Sequence, residues 1–201
     1  MKKTDLFLIL VLGPAGVGKN TMIDMFIEKH DNFKFLITAQ TREKRPHEIH
    51  GVHRYFYTKE EFLKELEEGD FYENAIVHGL PTGVPKKSID GPMSEGLSVI
   101  GEVDYQGAKT LKSREDDMMG KVLTIFMEFE DEEHFEQRIR DRENDERFAA
   151  RLKSMREEMK HKDSFDYLIT SYEGDIEKTY EEFERCLLEG MDKIKRGEPL
   201  K

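Results

Sequence analysis

The chain is short of the residues that staple small domains together, with one cysteine, Cys186, among 201 residues. A single thiol excludes an intramolecular disulfide framework and a cysteine-rich zinc site, and points to a reducing, cytoplasmic setting. No apolar run reaches 18 residues, which excludes a membrane span. Tryptophan is absent, and so are internal repeats and low-complexity linkers. Positive charge is in deficit: 32 Lys+Arg against 43 Asp+Glu leave a net charge of −11. Such a chain repels a phosphate backbone, which argues against a general nucleic-acid binder. What is present is enough to pack. Thirteen Phe, seven Tyr and several apolar runs exclude intrinsic disorder, and the length suits one domain or one domain with a mobile insertion.

Lys2 and Lys3 followed by the apolar run Leu6 to Leu12 resemble the start of a signal peptide. Asp5 interrupts that pattern, and the run ends in glycines with a mechanism of their own, so a buried strand is the better reading. The spacing then predicts a helix from about Asn20 to His30, with Met22, Ile23, Phe26 and Ile27 inward. A strand follows at Phe33–Thr38, a polar loop at 41–54 and a strand at Tyr55–Tyr57. Thr58 caps a short helix reaching Glu68, with Phe62, Leu63 and Leu66 aligned and Gly69 ending it. Residues 71–93 read as short β pieces broken by Gly79, Pro81, Gly83 and Pro85. Strands are expected at Leu97–Val103, Val122–Phe129 and Tyr167–Thr170, and helices at 131–142 and 147–160. The last helix carries Ile176, Tyr180, Phe183, Leu187, Met191 and Ile194 at helical spacing. Alternating strands and helices predict an α/β fold with a mostly parallel sheet, broken over 38–93 by an inserted β-rich lobe.

Gly13-Pro14-Ala15-Gly16-Val17-Gly18-Lys19-Asn20-Thr21 joins a buried strand to a helix. Glycines there let successive backbone N–H groups form an anion nest, and the helix N-terminus adds its positive dipole. Lys19 then reaches the terminal phosphates of a nucleotide. The competing reading is a plain glycine-rich turn with a surface lysine; spacing, lysine and context together favour the phosphate loop. The usual Ser or Thr straight after the lysine is Asn20, with Thr21 one later, and Asn is a less usual partner for magnesium.

Further motifs follow in a fixed order. Thr41-Arg42 to Gly51 matches T-R-x-x-R-x-G-E-x-x-G, with His47 where Gly is usual. Phe71-Tyr72-Glu73 matches F-x-E, and Glu102-Val103-Asp104-Tyr105-Gln106-Gly107 matches D-x-D-x-Q-G with Glu for the first Asp. Arg138, Arg142 and Arg151 fall at lid positions. Over nearly its whole length the sequence resembles the guanylate kinases, P-loop nucleoside monophosphate kinases with a core, an acceptor lobe and a lid. The resemblance implies a P-loop NTPase fold, with core 1–37, 94–137 and 152–201, acceptor-binding lobe 38–93 and lid 138–151. It implies ATP and Mg²⁺ as donor and cofactor, and GMP or dGMP as acceptor. Gly13, Ala15, Gly16, Val17, Gly18, Lys19, Asn20 and Thr21 would bind ATP, with Asn20 and a water-mediated Asp104 toward the metal. Lys19, Arg42, Arg138, Arg142 and Arg151 would be catalytic. Thr38, Arg42, Arg45, Glu48, Arg54, Glu73, Thr82, Glu102 and Asp104 would hold the acceptor.

The residue chemistry agrees. Phosphoryl transfer between nucleotides gathers negative charge in one cleft, and fixed cations must hold it. The fork of Arg binds phosphate bidentately. Arg138 and Arg142 share a helix face by their spacing, whereas Arg140 and Arg147 read as solvated salt bridges. By resemblance, Glu73 accepts from guanine N1 and the 2-amino group, Thr38 keeps a hydroxyl near O6, and Asp104 meets the amino group or the magnesium water shell. An adenine would leave Glu73 unpaired.

Three acceptor-site positions depart from the family pattern. A phosphate-binding Tyr falls on Arg54, and Tyr55 could replace it only through a one-residue slip that turns its side chain to the other strand face. The Y-G-[ST] turn reads Thr82-Gly83-Val84. Losing two hydrogen bonds to a charged group, at about 1.5–3 kcal/mol each, costs on the order of 10²–10⁴ in binding; Arg54 offsets this by adding a full charge. An Asn near the donor base reads as Ser171. The expectation is ATP:GMP phosphotransfer. The alternatives are a related P-loop kinase for another nucleotide or ribose bisphosphate, and a non-catalytic guanylate-kinase-like binding module. The acidic residues concentrate at 59–70, 128–136 and 173–189, an exterior suited to small polyphosphates, with no nucleic-acid or membrane partner.

Overall fold

The computed structural model describes residues 5–77, 79–131, 133, 136, 140 and 145–200. Two sheets organise them. The larger is five-stranded and wholly parallel, in the order β2-β7-β1-β8-β9. Its strands are β1 (Phe7–Leu12), β2 (Phe33–Phe35), β7 (Ser98–Glu102), β8 (Lys121–Phe129) and β9 (Tyr167–Ser171). All six residues of β1 are buried, as a central strand covered on both faces requires. Helices α1 (Lys19–Lys29) and α6 (Ile176–Arg196) cover one face. Met22, Ile23, Phe26, Phe183 and Leu187 pack there against Phe7, Ile9, Val11 and Ile125. On the other face lie Leu6, Leu8, Leu10, Ile89, Met93 and Leu111.

The smaller sheet has the order β4-β3-β6-β5, built from β3 (Ala39–Gln40), β4 (Tyr55–Phe56), β5 (Phe71–Val77) and β6 (Leu80–Pro85). β5 and β6 form an antiparallel hairpin, and β3 joins β6 antiparallel and β4 parallel. Helix α2 (Lys59–Glu67) begins with a capping box between Thr58 and Glu61. Its Phe62 ring packs at a tilt against Phe71, with centroids 4.7 Å apart. Further α-helices among the described residues are α3 (Lys87–Ser94), α4 (Tyr105–Ser113) and α5 (Asp145–Met159).

Several sequence expectations change. Residues 71–93 are a hairpin, with a register shift between Phe71 and Glu73, followed by α3, not broken β pieces. Gly91 and Pro92 disguise that helix, yet Ile89 and Met93, four apart, bury one face among Leu6, Leu8 and Leu10, so tertiary packing overrides weak propensity. Residues 105–113 form a helix, α4, where none was expected. Asp104 caps α4 by accepting the Gly107 N–H at 2.7 Å, and Ala108 and Leu111 face the core. Leu63 and Ile176 are exposed rather than inward. The strand expected at Phe33–Thr38 is shorter, since β2 ends at Phe35. Most of the helix expected over 131–142 lies outside the described residues. No helix among the described residues is long and apolar enough to cross a membrane.

Candidate active site

The carboxyl end of β1 leads directly into the phosphate loop. Gly13, Gly16 and Gly18 all hold positive φ, a conformation L side chains resist. Gly13 is also pressed against β8, where an added Cβ would lie 2.1 Å from the Met127 carbonyl oxygen. Lys19 opens α1 and folds back over the loop. Its Nζ donates to the Gly13 and Pro14 carbonyls at 2.6 and 3.0 Å and lies 4.0 Å from Glu102. Burial pulls the Lys19 pKa down, opposed by the charges of Glu102 and Glu158.

A cleft of about 330 Å³ joins this lysine to the smaller sheet. Gly13, Ala15 and Lys19 form one end, and Thr38, Glu73, Thr82, Val84 and Asp104 line the other. Strand alternation explains the grouping, because Thr82 and Val84 share one face of β6 and Glu73 sits opposite Val84 on β5. Glu73 is 7% exposed. Its carboxylate makes no hydrogen bond or ion pair to the protein among the described residues. Burial, reinforced by the nearby charge of Asp104, pushes its pKa up to about 7. It lies against the backbone of α4, since a Cβ on Gly107 would meet the Glu73 Cδ at 3.4 Å. A buried carboxylate without a protein partner is a costly arrangement unless a ligand supplies donors.

A second cleft, of about 700 Å³, contains Asn20, Arg42, Arg45 and Glu48. Glu48 is buried and fully engaged by its own loop. Both oxygens pair with Arg42, at 2.7 and 2.6 Å, and the Arg45 N–H donates at 2.7 Å. These bonds hold its carboxyl down at about 2. The carboxylate expected to touch the acceptor is paired with Arg42, while Arg45 is exposed. Gln40, Arg54 and Glu102 line both clefts and form their shared wall. Arg54 donates to the Thr38 hydroxyl and, at 2.8 Å, to Glu102. Tyr55 points away, packed near Phe62 and Phe71 with the Lys87 ammonium 4.5 Å from its ring. The one-residue slip does not occur.

Asn20 and Thr21 part company. Asn20 faces the arginine cleft, and Thr21 faces a third cleft with Val17, Gly18 and Ser171. Arg138 and Arg142 lie outside the described residues, and Arg151 falls within the backbone of α5. Gln40 and Glu158 line the first cleft without having been expected there. Gln40 was detectable by alternation, two residues from both Thr38 and Arg42. Glu158 reaches the first cleft from α5, and only the tertiary fold brings it there.

The family model described as guanylate kinase matches residues 6–189. A guanylate kinase of Rickettsia bellii is 31% identical over 195 residues, covering 96% of this chain and 99% of that protein. One from Clostridium perfringens strain 13 is 35% identical over 191 residues, 94% of this chain and 86% of its own. The chain belongs to the guanylate kinase family. It also spans 63% of the rice guanylate kinase 2, chloroplastic/mitochondrial, with 36% identity over 183 residues. The crystal structure of guanylate kinase from Anaplasma phagocytophilum superposes with a TM-score of 0.72 at 28% identity, covering 98% of this chain and 91% of that one. Family membership fixes the fold as a P-loop α/β kinase and the reaction class as ATP:GMP phosphoryl transfer, with ATP and GMP as substrates.

Proposed function

We propose that the chain transfers the ATP γ-phosphoryl group to GMP through the cleft between Lys19 and Glu73. The single observation that carries the reading is Glu73, a buried, unpartnered carboxylate at the far end of a cleft that begins at the phosphate-loop lysine. Guanine presents two adjacent donors, at N1 and the 2-amino group, and two donors are what this carboxylate lacks. Adenine presents an acceptor at N1 and would leave it unpaired. With the base so placed, Arg42 and Arg45 suit the acceptor phosphate, with Glu48 holding the Arg42 fork in position.

The donor phosphates belong to the glycine loop and Lys19. The ammonium exchanges its contacts with Gly13 and Pro14 for phosphate oxygens, and its charge offsets what develops in the transition state. The donor base suits the cleft by Thr21 and Ser171. Arg138, Arg142 and Arg151 remain proposed lid ligands on the family match. The donor set suits magnesium carried by the nucleotide, which needs few protein ligands. Asn20 would hold it, with Asp104 acting through water, and when bound it would neutralise charge on the β- and γ-phosphates. The division into core, lobe 38–93 and lid 138–151, and a cytoplasmic setting, are proposed alongside.

Replacing Lys19 by Ala tests the assignment. Turnover is expected to fall at least about 10²-fold, as for loss of a key electrostatic group, while GMP binding by calorimetry persists. Retained turnover would refute the role of the phosphate loop.

A further inference from the structure

Two departures from the family pattern, Arg for Tyr at 54 and Glu for Asp at 102, meet in space. Their side chains pair at 2.8 Å in the wall shared by the two clefts. We propose that Arg54 is a movable ligand for the acceptor phosphate, latched in the empty site by Glu102 and Thr38. This rests on the reading of the acceptor site above and assigns two of its residues a joint action. A nucleotide whose base meets Glu73 and whose phosphate meets Arg42 must cross the wall where Arg54 lies. A lone guanidinium there would repel Arg42 and Arg45. Glu102, one methylene longer than Asp, reaches it and cancels its charge. Thr38 accepts a second N–H from the same fork, so two contacts fix Arg54 within reach of both clefts.

A phosphate dianion carries more charge than the carboxylate and offers more acceptor oxygens. It therefore draws the fork from Glu102 when it arrives. Release leaves the Thr38 hydroxyl free to pair with the base and leaves Glu102 beside Lys19, already 4.0 Å away. The latch makes acceptor affinity depend on the phosphate group more than on the nucleoside. No covalent step is involved; one ion pair replaces another.

Calorimetric or NMR titration of GMP and guanosine, without ATP, tests this in the full chain. Arg54→Met is expected to weaken GMP about 10- to 100-fold, as for loss of a charged hydrogen bond, and to change guanosine affinity less than about 2-fold. Guanosine binding doubles as the fold control, and Arg54→Lys should recover part of the loss. Glu102→Gln is expected to tighten GMP about 3- to 10-fold by removing the competitor. In the Arg54→Met background most of that gain should vanish. Equal weakening of GMP and guanosine by Arg54→Met would overturn the proposal, as would weaker GMP binding in Glu102→Gln. If the wild-type protein bound no guanine ligand, the acceptor-site reading itself would fall; if it bound GMP and Arg54→Met made no difference, only the latch would.

Discussion

Glu73 gives the proposed acceptor pocket its pH behaviour. Its carboxyl titrates near 7 in the folded chain against an ordinary 4.5. The folded state thus holds an extra proton between those values, and this group's contribution to stability falls as pH rises through that window. Glu73→Gln should remove on the order of 2 kcal/mol of that slope. Melting temperatures compared between pH 5 and 8 check it; an unchanged slope would contradict the burial argument. GMP binding runs the other way, because guanine donors need the ionised carboxylate, so GMP affinity should rise with pH near 7 in wild type more than in the variant. Glu48 is the opposite case. Its pKa of about 2 means its stabilisation holds at neutral pH and is lost as pH falls through the acid range. Glu48→Gln should cost about 1.5–3 kcal/mol through the loosened Arg42 fork and raise the KM for GMP; a shift in stability with unchanged KM would separate Arg42 from the acceptor. The site was largely legible at this scale. Glu73, Arg42 and Lys19 stood out by motif, but the work of Glu48 did not, because a motif names a residue without naming its partner.

Elements decide which of those residues can meet. The phosphate loop depends on close approach of β1 and β8, and Gly13→Ala would drive a Cβ into the Met127 carbonyl. With its φ of 131° as well, the variant should lose several kcal/mol, beyond the ~1–3 kcal/mol of a strained backbone alone. Thermal unfolding measures this; near wild-type stability would mean the loop can shift away from β8. Strand alternation was the most informative element-scale signal. It places Arg54 on the cleft and Tyr55 off it, and it groups Thr82 with Val84. The helices α3 and α4 were not legible. Pro92 and Gly91 mask the first, and the second hides inside the Glu102–Gly107 motif, where Asp104 serves as a cap as well as a site residue. Both are stabilised by what lies beneath them, which local sequence does not display.

At the scale of the molecule, charge and architecture reconcile an acidic chain with anionic substrates. The net −11 is an average. Lys19, Arg42, Arg45 and Arg54 collect around two adjoining clefts, where fixed cations and low dielectric favour small polyphosphates. In the proposed reading, the parallel sheet supplies the donor end, and the smaller sheet with the loop that carries Arg42 supplies the contacts of the acceptor. Alternating strands and helices revealed the first sheet, and the β-rich character of 38–93 was also legible; the strand order of the second sheet, made partly of two-residue strands, is set by long-range pairing that no local pattern encodes. The account stands on guanine-selective phosphotransfer across that junction. A coupled ADP-release assay with ATP, magnesium and a panel of monophosphates tests it most directly. Turnover with GMP and dGMP, at least about 10²-fold more efficient than with AMP, is the predicted result; no turnover with GMP at millimolar concentration, or equal use of AMP, would contradict it.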